Sequence, residues 1–159
     1  MRRFYAILAF VVCGMAAGVA QAGASCTAPG NINDLATQIA AGLNANRQSN
    51  SLSGLTFNSE LSQAAMTHAC DLSVNNFMDH RGTDGSNSQD RARKMGYTDC
   101  LIAENLAWGY PDPGTIVQGW MTSPAHRSNM LLANVREFGV GIVDSPRGPI
   151  WVLVLARSC

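Results

Sequence analysis

Residues 150–155, Ile-Trp-Val-Leu-Val-Leu, form an unbroken apolar run near the end of this 159-residue chain. A strand with one wet face alternates polar and apolar side chains, so a continuous run suits a central strand covered on both faces. Just before it, Phe138, Val140 and Ile142 alternate, and Ser145-Pro146-Arg147-Gly148 reads as a turn. Together the two segments predict a hairpin. The cover must come from upstream, where the patterns are helical. Helices first and strands later, in one small domain, argue for the α+β class.

Leu35, Ile39 and Leu43 recur every four residues and predict a helix from Asn33 to about Arg47, capped by Asn31 or Asn33. A second helix is expected from Asn58 to about Phe77. Glu60 sits in its first turn, where a carboxylate suits the helix dipole. Leu61, Ala64, Ala65, Ala69 and Leu72 give that helix a small-residue face that lets a neighbour approach closely. Gly82, Gly85 and the surrounding Asp, Asn and Ser residues mark a loop. Either Ser88 or Asp90 caps a short helix after it, ending at Gly96. Leu101 to Trp108 is either a short strand or a buried turn. Asp112-Pro113 and Ser123-Pro124 each place a capping residue before a proline, the signal for a helix start.

The amino terminus reads as a secretory leader. Arg2 and Arg3 precede an uncharged apolar run from Phe4 to Val19, and Ala20-Gln21-Ala22 supplies a small-x-small cleavage pattern. Cleavage after Ala22 leaves 137 of the 159 residues, the size of one domain, with 23–34 as a lead-in and 35–159 as the folded unit. It also takes Lys+Arg from 11 to 9 against 11 Asp+Glu, a net charge of −2. That balance gives no electrostatic reason to expect nucleic acid or an anionic membrane as partner. Export, to the periplasm or beyond the cell, fits the cysteines. Cys13 leaves with the leader, and Cys26, Cys70, Cys100 and Cys159 form an even set in an oxidising compartment. Of the three connectivities, Cys26–Cys159 tying the termini with Cys70–Cys100 inside is the expected one. None of the four shows the C-x-x-C spacing of a metal site.

Three polar residues stand out. His80 begins the glycine-containing loop between Asp79 and Arg81. Glu104 is the one charge in an apolar segment. It either pairs with an arginine such as Arg91 or Arg127, or with backbone amides, or faces the histidines, since an unpaired buried carboxylate is costly. His126 falls in the first turn of the helix after Pro124, where the local potential is expected to lower its pKa and keep it neutral. His68, inside the second helix, reads as a half-buried packing residue.

The order FMDH, AENLAWG, GWMTSPAHRSNML and FGVGI resembles the CAP superfamily. This superfamily, the SCP-like extracellular domains, includes cysteine-rich secretory proteins, venom allergens and plant pathogenesis-related proteins. The likeness is to its compact bacterial branch and covers roughly Leu35 to Arg157. The resemblance implies an α–β–α sandwich with a small, mainly antiparallel sheet. It also implies a cleft lined by His80, Glu104 and His126. The family's second glutamate follows the helix tryptophan by three residues. From Trp120 that position is Ser123, which has no carboxylate.

Three functions follow as expectations. A divalent cation such as zinc is held by His80 and His126, with Glu104 as a third ligand or as the partner that sets a histidine tautomer. A hydrolase, peptidase-like, uses Glu104 or His126 as general base, or His126 to activate Ser123. Against the second stand the simpler reading of Ser123 as a cap and the absence of an H-E-x-x-H helix. The third is a monomeric, noncatalytic binding module for a small ligand or an extracellular protein. A lipid is one such ligand, because some relatives take sterols or fatty acids between helices, and here the nearby aromatics are Trp108, Tyr110 and Trp120. The noncatalytic module is the leading expectation.

Overall fold

The computed structural model describes residues 26–159. The leader expected over 1–22 lies outside them. The elements run α1 (Ile32–Ser49), β1 (Thr56–Phe57), α2 (Ser59–Asn75), α3 (Ser88–Lys94), β2 (Asp99–Trp108), α4 (Pro113–Thr122), α5 (Pro124–Met130), β3 (Glu137–Val143) and β4 (Ile150–Ser158). The sheet order is β1-β3-β4-β2, with β4 antiparallel to both neighbours and the short β1 parallel to β3. Leu101–Trp108 is thus strand rather than turn.

The apolar run is central, as its composition demands. Trp151, Leu153 and Leu155 face one layer with Ile39 and Leu43 of α1, Ile116 and Trp120 of α4, and Met130 of α5. Ile150, Val152, Val154 and Ala156 face the other, with Leu61, Ala65, Ala69 and Leu72 of α2 and Ala92 of α3. The α–β–α sandwich is therefore built around β4.

Its neighbour β3 presents Phe138, Val140 and Ile142 to the first layer. Glycines 139 and 141 lie on the other face. A Cβ at Gly139 would collide with the Ser62 nitrogen of α2, and one at Gly141 with the Ala65 backbone. The small face of α2 lies directly on this bare strip of strand. Such a fit follows from close packing, since neither side leaves room for another methyl group.

Both helices expected at an X-Pro signal form, but by different means. Asp112 caps α4 by accepting from the Thr115 nitrogen at 2.9 Å. Ser123 stands at the cap position of α5, yet its hydroxyl makes no cap bond. Its backbone does the joining: its N–H donates to Gly119 O at 3.2 Å and its carbonyl accepts from Arg127 at 2.8 Å. For α3 the cap is Asn87, with Asp90 completing a capping box, rather than Ser88 or Asp90 alone. Asn31 precedes α1 without a side-chain cap bond.

The disulfides correct the expected pairing of Cys26 with Cys159 and Cys70 with Cys100. They join Cys26 to Cys70 and Cys100 to Cys159, with Cα separations of 5.2 and 4.9 Å. The reason is strand register. β2 runs antiparallel to β4, so Asp99 lies opposite Ser158, and the Cys159 nitrogen donates to Thr98 O at 3.0 Å. The lead-in is drawn to the α2 side, where Asp144 N donates to Thr27 O at 2.9 Å.

Arg47, which the sequence did not single out, is fully buried at the end of α1. Its Nη1 donates to the Met130 and Leu132 carbonyls at 2.8 and 2.9 Å, and its Nε to Ser53 O at 2.9 Å. These bonds satisfy carbonyls left open at the end of α5 and fix that helix in place.

Candidate functional site

Strand β2 lies at the edge of the sheet, so groups from both helical layers can reach one another around it. Glu104 lies on the α2–α3 face with Ile102 and Leu106. Its carboxylate is almost wholly buried but has two strong partners. Oε2 accepts from Arg91 Nη2 at 2.7 Å, and Oε1 lies 2.8 Å from His80 Nδ1. The expected alternatives for Glu104 are therefore both realised, by an arginine and a histidine together. Arg127 plays no part in this, its Nη2 donating instead to Asn50 Oδ1 at 3.3 Å.

His80 comes from the segment after α2, and its side chain is 61% exposed despite the bond to Glu104. That bond raises its pKa above the ordinary histidine value, against a smaller opposing effect of burial. A carboxylate accepts only, so Nδ1 carries the proton and the neutral ring offers Nε2 as a free lone pair. His126 approaches from α5. Asn105, on the opposite face of β2, donates to the His126 carbonyl at 3.1 Å, and Asn129 donates to Asn105 Oδ1 at 2.9 Å and Glu104 O at 3.1 Å. Two asparagines thus stitch α5 to the strand that carries Glu104. The His126 pKa is lowered, first by burial and second by His80. The direction is the one expected from the sequence, and burial and the neighbouring imidazole are the causes seen here.

His68 is a residue whose place the sequence understated. It is fully buried, not half-buried, with Nε2 2.9 Å from Asp79 O and 3.9 Å from Glu104 Oε1. Burial lowers its pKa more than Glu104 raises it. Its Asp71 neighbour, one turn along α2, looks elsewhere and accepts from Thr83 N and Thr83 Oγ1 at 2.8 and 2.6 Å. A cavity of about 430 Å3 opens nearby, lined by His68, Arg91, Asp71 and Lys94 among others, without His80, Glu104 or His126.

The link between the two cleft imidazoles is electrostatic, His80 being the second cause of the lowered His126 pKa. Both Glu104 oxygens are engaged, which leaves it as the hydrogen-bond partner of a histidine rather than a third ligand. Among the described residues no three His, Cys, Asp or Glu side chains are arranged to hold a metal ion. The aromatics named for a lipid groove have structural partners. Trp120 is buried and donates to Leu106 O at 3.3 Å. Trp108 lies under Arg147, 3.6 Å from its ring centre, and donates to Ser145 Oγ. The Tyr110 ring occupies the space beside Gly119.

An α–β–α sandwich around a small, mainly antiparallel sheet is the architecture of an SCP-like domain. The chain belongs to the CAP, or cysteine-rich secretory protein, family, whose profile matches residues 41–155. It is 31% identical over 125 residues to the uncharacterized protein YkwD of Bacillus subtilis, covering 79% of this chain and 48% of that one. Among solved structures, it resembles an extracellular protein containing a SCP domain from Bacillus anthracis. There the TM-score is 0.74 and the identity 26%, over 79% of this chain and 41% of the other. It shares its fold with an outer surface protein of Borrelia burgdorferi, with TM-score 0.72 and 20% identity, over 77% and 92% of the two chains. The chain spans less than half the length of the Bacillus proteins it matches.

Proposed function

We propose that this protein is an exported, noncatalytic CAP domain whose cleft binds through His80 and His126. A divalent cation such as zinc is the simplest occupant, held by His80 Nε2 and a His126 nitrogen. When bound, it would leave coordination positions for a ligand from outside. The observation that carries this reading is the Glu104–His80 bond. A carboxylate behind one imidazole nitrogen fixes the tautomer and raises the basicity of the other, as metal-binding histidines require. Two protein ligands make an exchangeable site, since structural zinc takes four and catalytic zinc three. The hydrolase reading has less support, because Ser123 stands where the family has its second glutamate.

The leader pattern and the two disulfides support extracytoplasmic placement. No helix among the described residues is long and apolar enough to cross a membrane.

Zinc calorimetry on the oxidised protein, beside a His80→Ala/His126→Ala double variant, tests the proposal. Binding in the parent that is lost in the folded double variant is expected. Equal heats in both would overturn it.

A further inference from the structure

Two buried polar side chains that line the cavity of about 430 Å3 also reach the backbone of the segment carrying His80. His68 from α2 reaches Asp79 O at 2.9 Å, and Arg91 from α3 reaches His80 O at 3.2 Å. The successive carbonyls of Asp79 and His80 are thus held by two different helices. Because a carbonyl only accepts, His68 carries its proton on Nε2, and its Nδ1, buried without a partner, holds the lone pair.

Arg91 does more than hold the backbone. The same Nη2 that meets His80 O also donates to Glu104 Oε2 at 2.7 Å, and Nη1 donates to Ser86 O at 2.9 Å. Glu104 Oε1 takes the His80 ring at 2.8 Å. The path from Arg91 through Glu104, the His80 imidazole and the His80 backbone returns to Arg91, closing a ring of hydrogen bonds. His80 is consequently held at both ends, by its carbonyl and by its imidazole. A side chain as exposed as this one would otherwise exchange rotamers on the picosecond to nanosecond scale.

We propose that His68 and Arg91 are positioning residues that preset His80 in one rotamer and one tautomer, with Nε2 presented to the cleft before any ligand arrives. The cleft is then ordered in advance, and a ligand bears less of the cost of immobilising His80. The reading of His80 as a binding group rests on the function proposed above. Its preset geometry does not.

The test is nitrogen-15 spectroscopy of the histidine rings in metal-free, oxidised protein at a pH where His80 is neutral. The parent is expected to show His80 as a single species protonated at Nδ1. Arg91→Lys and His68→Leu should convert this signal to a mixture of tautomers. His68→Gln, whose amide can still donate to Asp79 O, should restore the single species. Zinc affinity should fall about 10- to 100-fold in Arg91→Lys and His68→Leu and recover in His68→Gln. Amide spectra establish that each variant is folded. A tautomer mixture in the parent overturns the proposal without any variant. So does an unchanged His80 signal in folded Arg91→Lys and His68→Leu. A preset His80 in a parent that binds no zinc would defeat the metal reading and leave the positioning one standing.

Discussion

Arg91 and Glu104 form the buried ion pair of the cleft, Nη2 to Oε2 at 2.7 Å with both side chains almost fully out of water. Removing one partner from such a pair strands the other charge, which costs far more than the pair contributes. Glu104→Gln should therefore destabilise the fold by about 3 kcal/mol, measured by urea unfolding. It should also return the His80 pKa toward the ordinary histidine value, because the Glu104 hydrogen bond is the largest cause of its rise. An unfolding curve matching the parent would show that the pair has no part in stability.

Stability should fall on acidification through the histidine range. His68 has a folded pKa below its usual 6.5, chiefly because burial disfavours the imidazolium. The unfolded chain then takes up a proton that the folded one refuses, and stability is lost as pH drops below about 6.5. His126 shifts in the same direction and adds to the effect. His80 has the opposite sign. Its contribution is present below the unfolded pKa and is lost as pH rises through the raised folded value. Urea midpoints across a pH series, for the parent and His68→Gln, should show a smaller acid-side slope in the variant. An identical slope would place the proton uptake elsewhere.

Reduction should weaken the fold in two comparable steps. The disulfides close loops of 44 and 59 residues. In the chain-entropy model each contributes about 4 kcal/mol. Cys26→Ser/Cys70→Ser and Cys100→Ser/Cys159→Ser should lower stability by similar amounts in denaturant titrations. Peptide mapping of the non-reduced protein should recover these two linkages. A Cys26–Cys159 peptide would contradict the structure.

Gly141→Ala should destabilise by about 3 kcal/mol, since the added methyl would enter the Ala65 backbone and force α2 off the sheet. Gly30→Ala, with nothing within 4 Å of the added carbon, should be close to neutral. Thermal unfolding of the two variants gives the comparison, and equal midpoints would show that α2 is free to shift.

The layers were legible because burial leaves a direct mark on sequence. Ile150–Leu155 suited a strand covered twice, and Ala64, Ala65 and Ala69 suited a face open to close approach. Asp112-Pro113 identified α4 through local chemistry alone. Ser123-Pro124 located α5 but misstated the means, because whether a hydroxyl meets an N–H depends on a rotamer that sequence does not report. His80, Glu104 and His126 were legible through the order of the motifs they sit in. His68 and Arg91 were harder to weigh, since a lone histidine in a helix and an arginine near a loop look the same whether exposed or buried.

The residues themselves determined the fold class and its central strand, because those follow from local periodicity and composition, whereas the cleft groups were named by the resemblance of ordered motifs. Only the tertiary structure decided which cysteines meet and which partners Glu104 takes. Both depend on the antiparallel register of β2 against β4 and on the packing of α2 and α3 over the sheet. Those relations join residues tens of positions apart, and no local pattern along the chain encodes them.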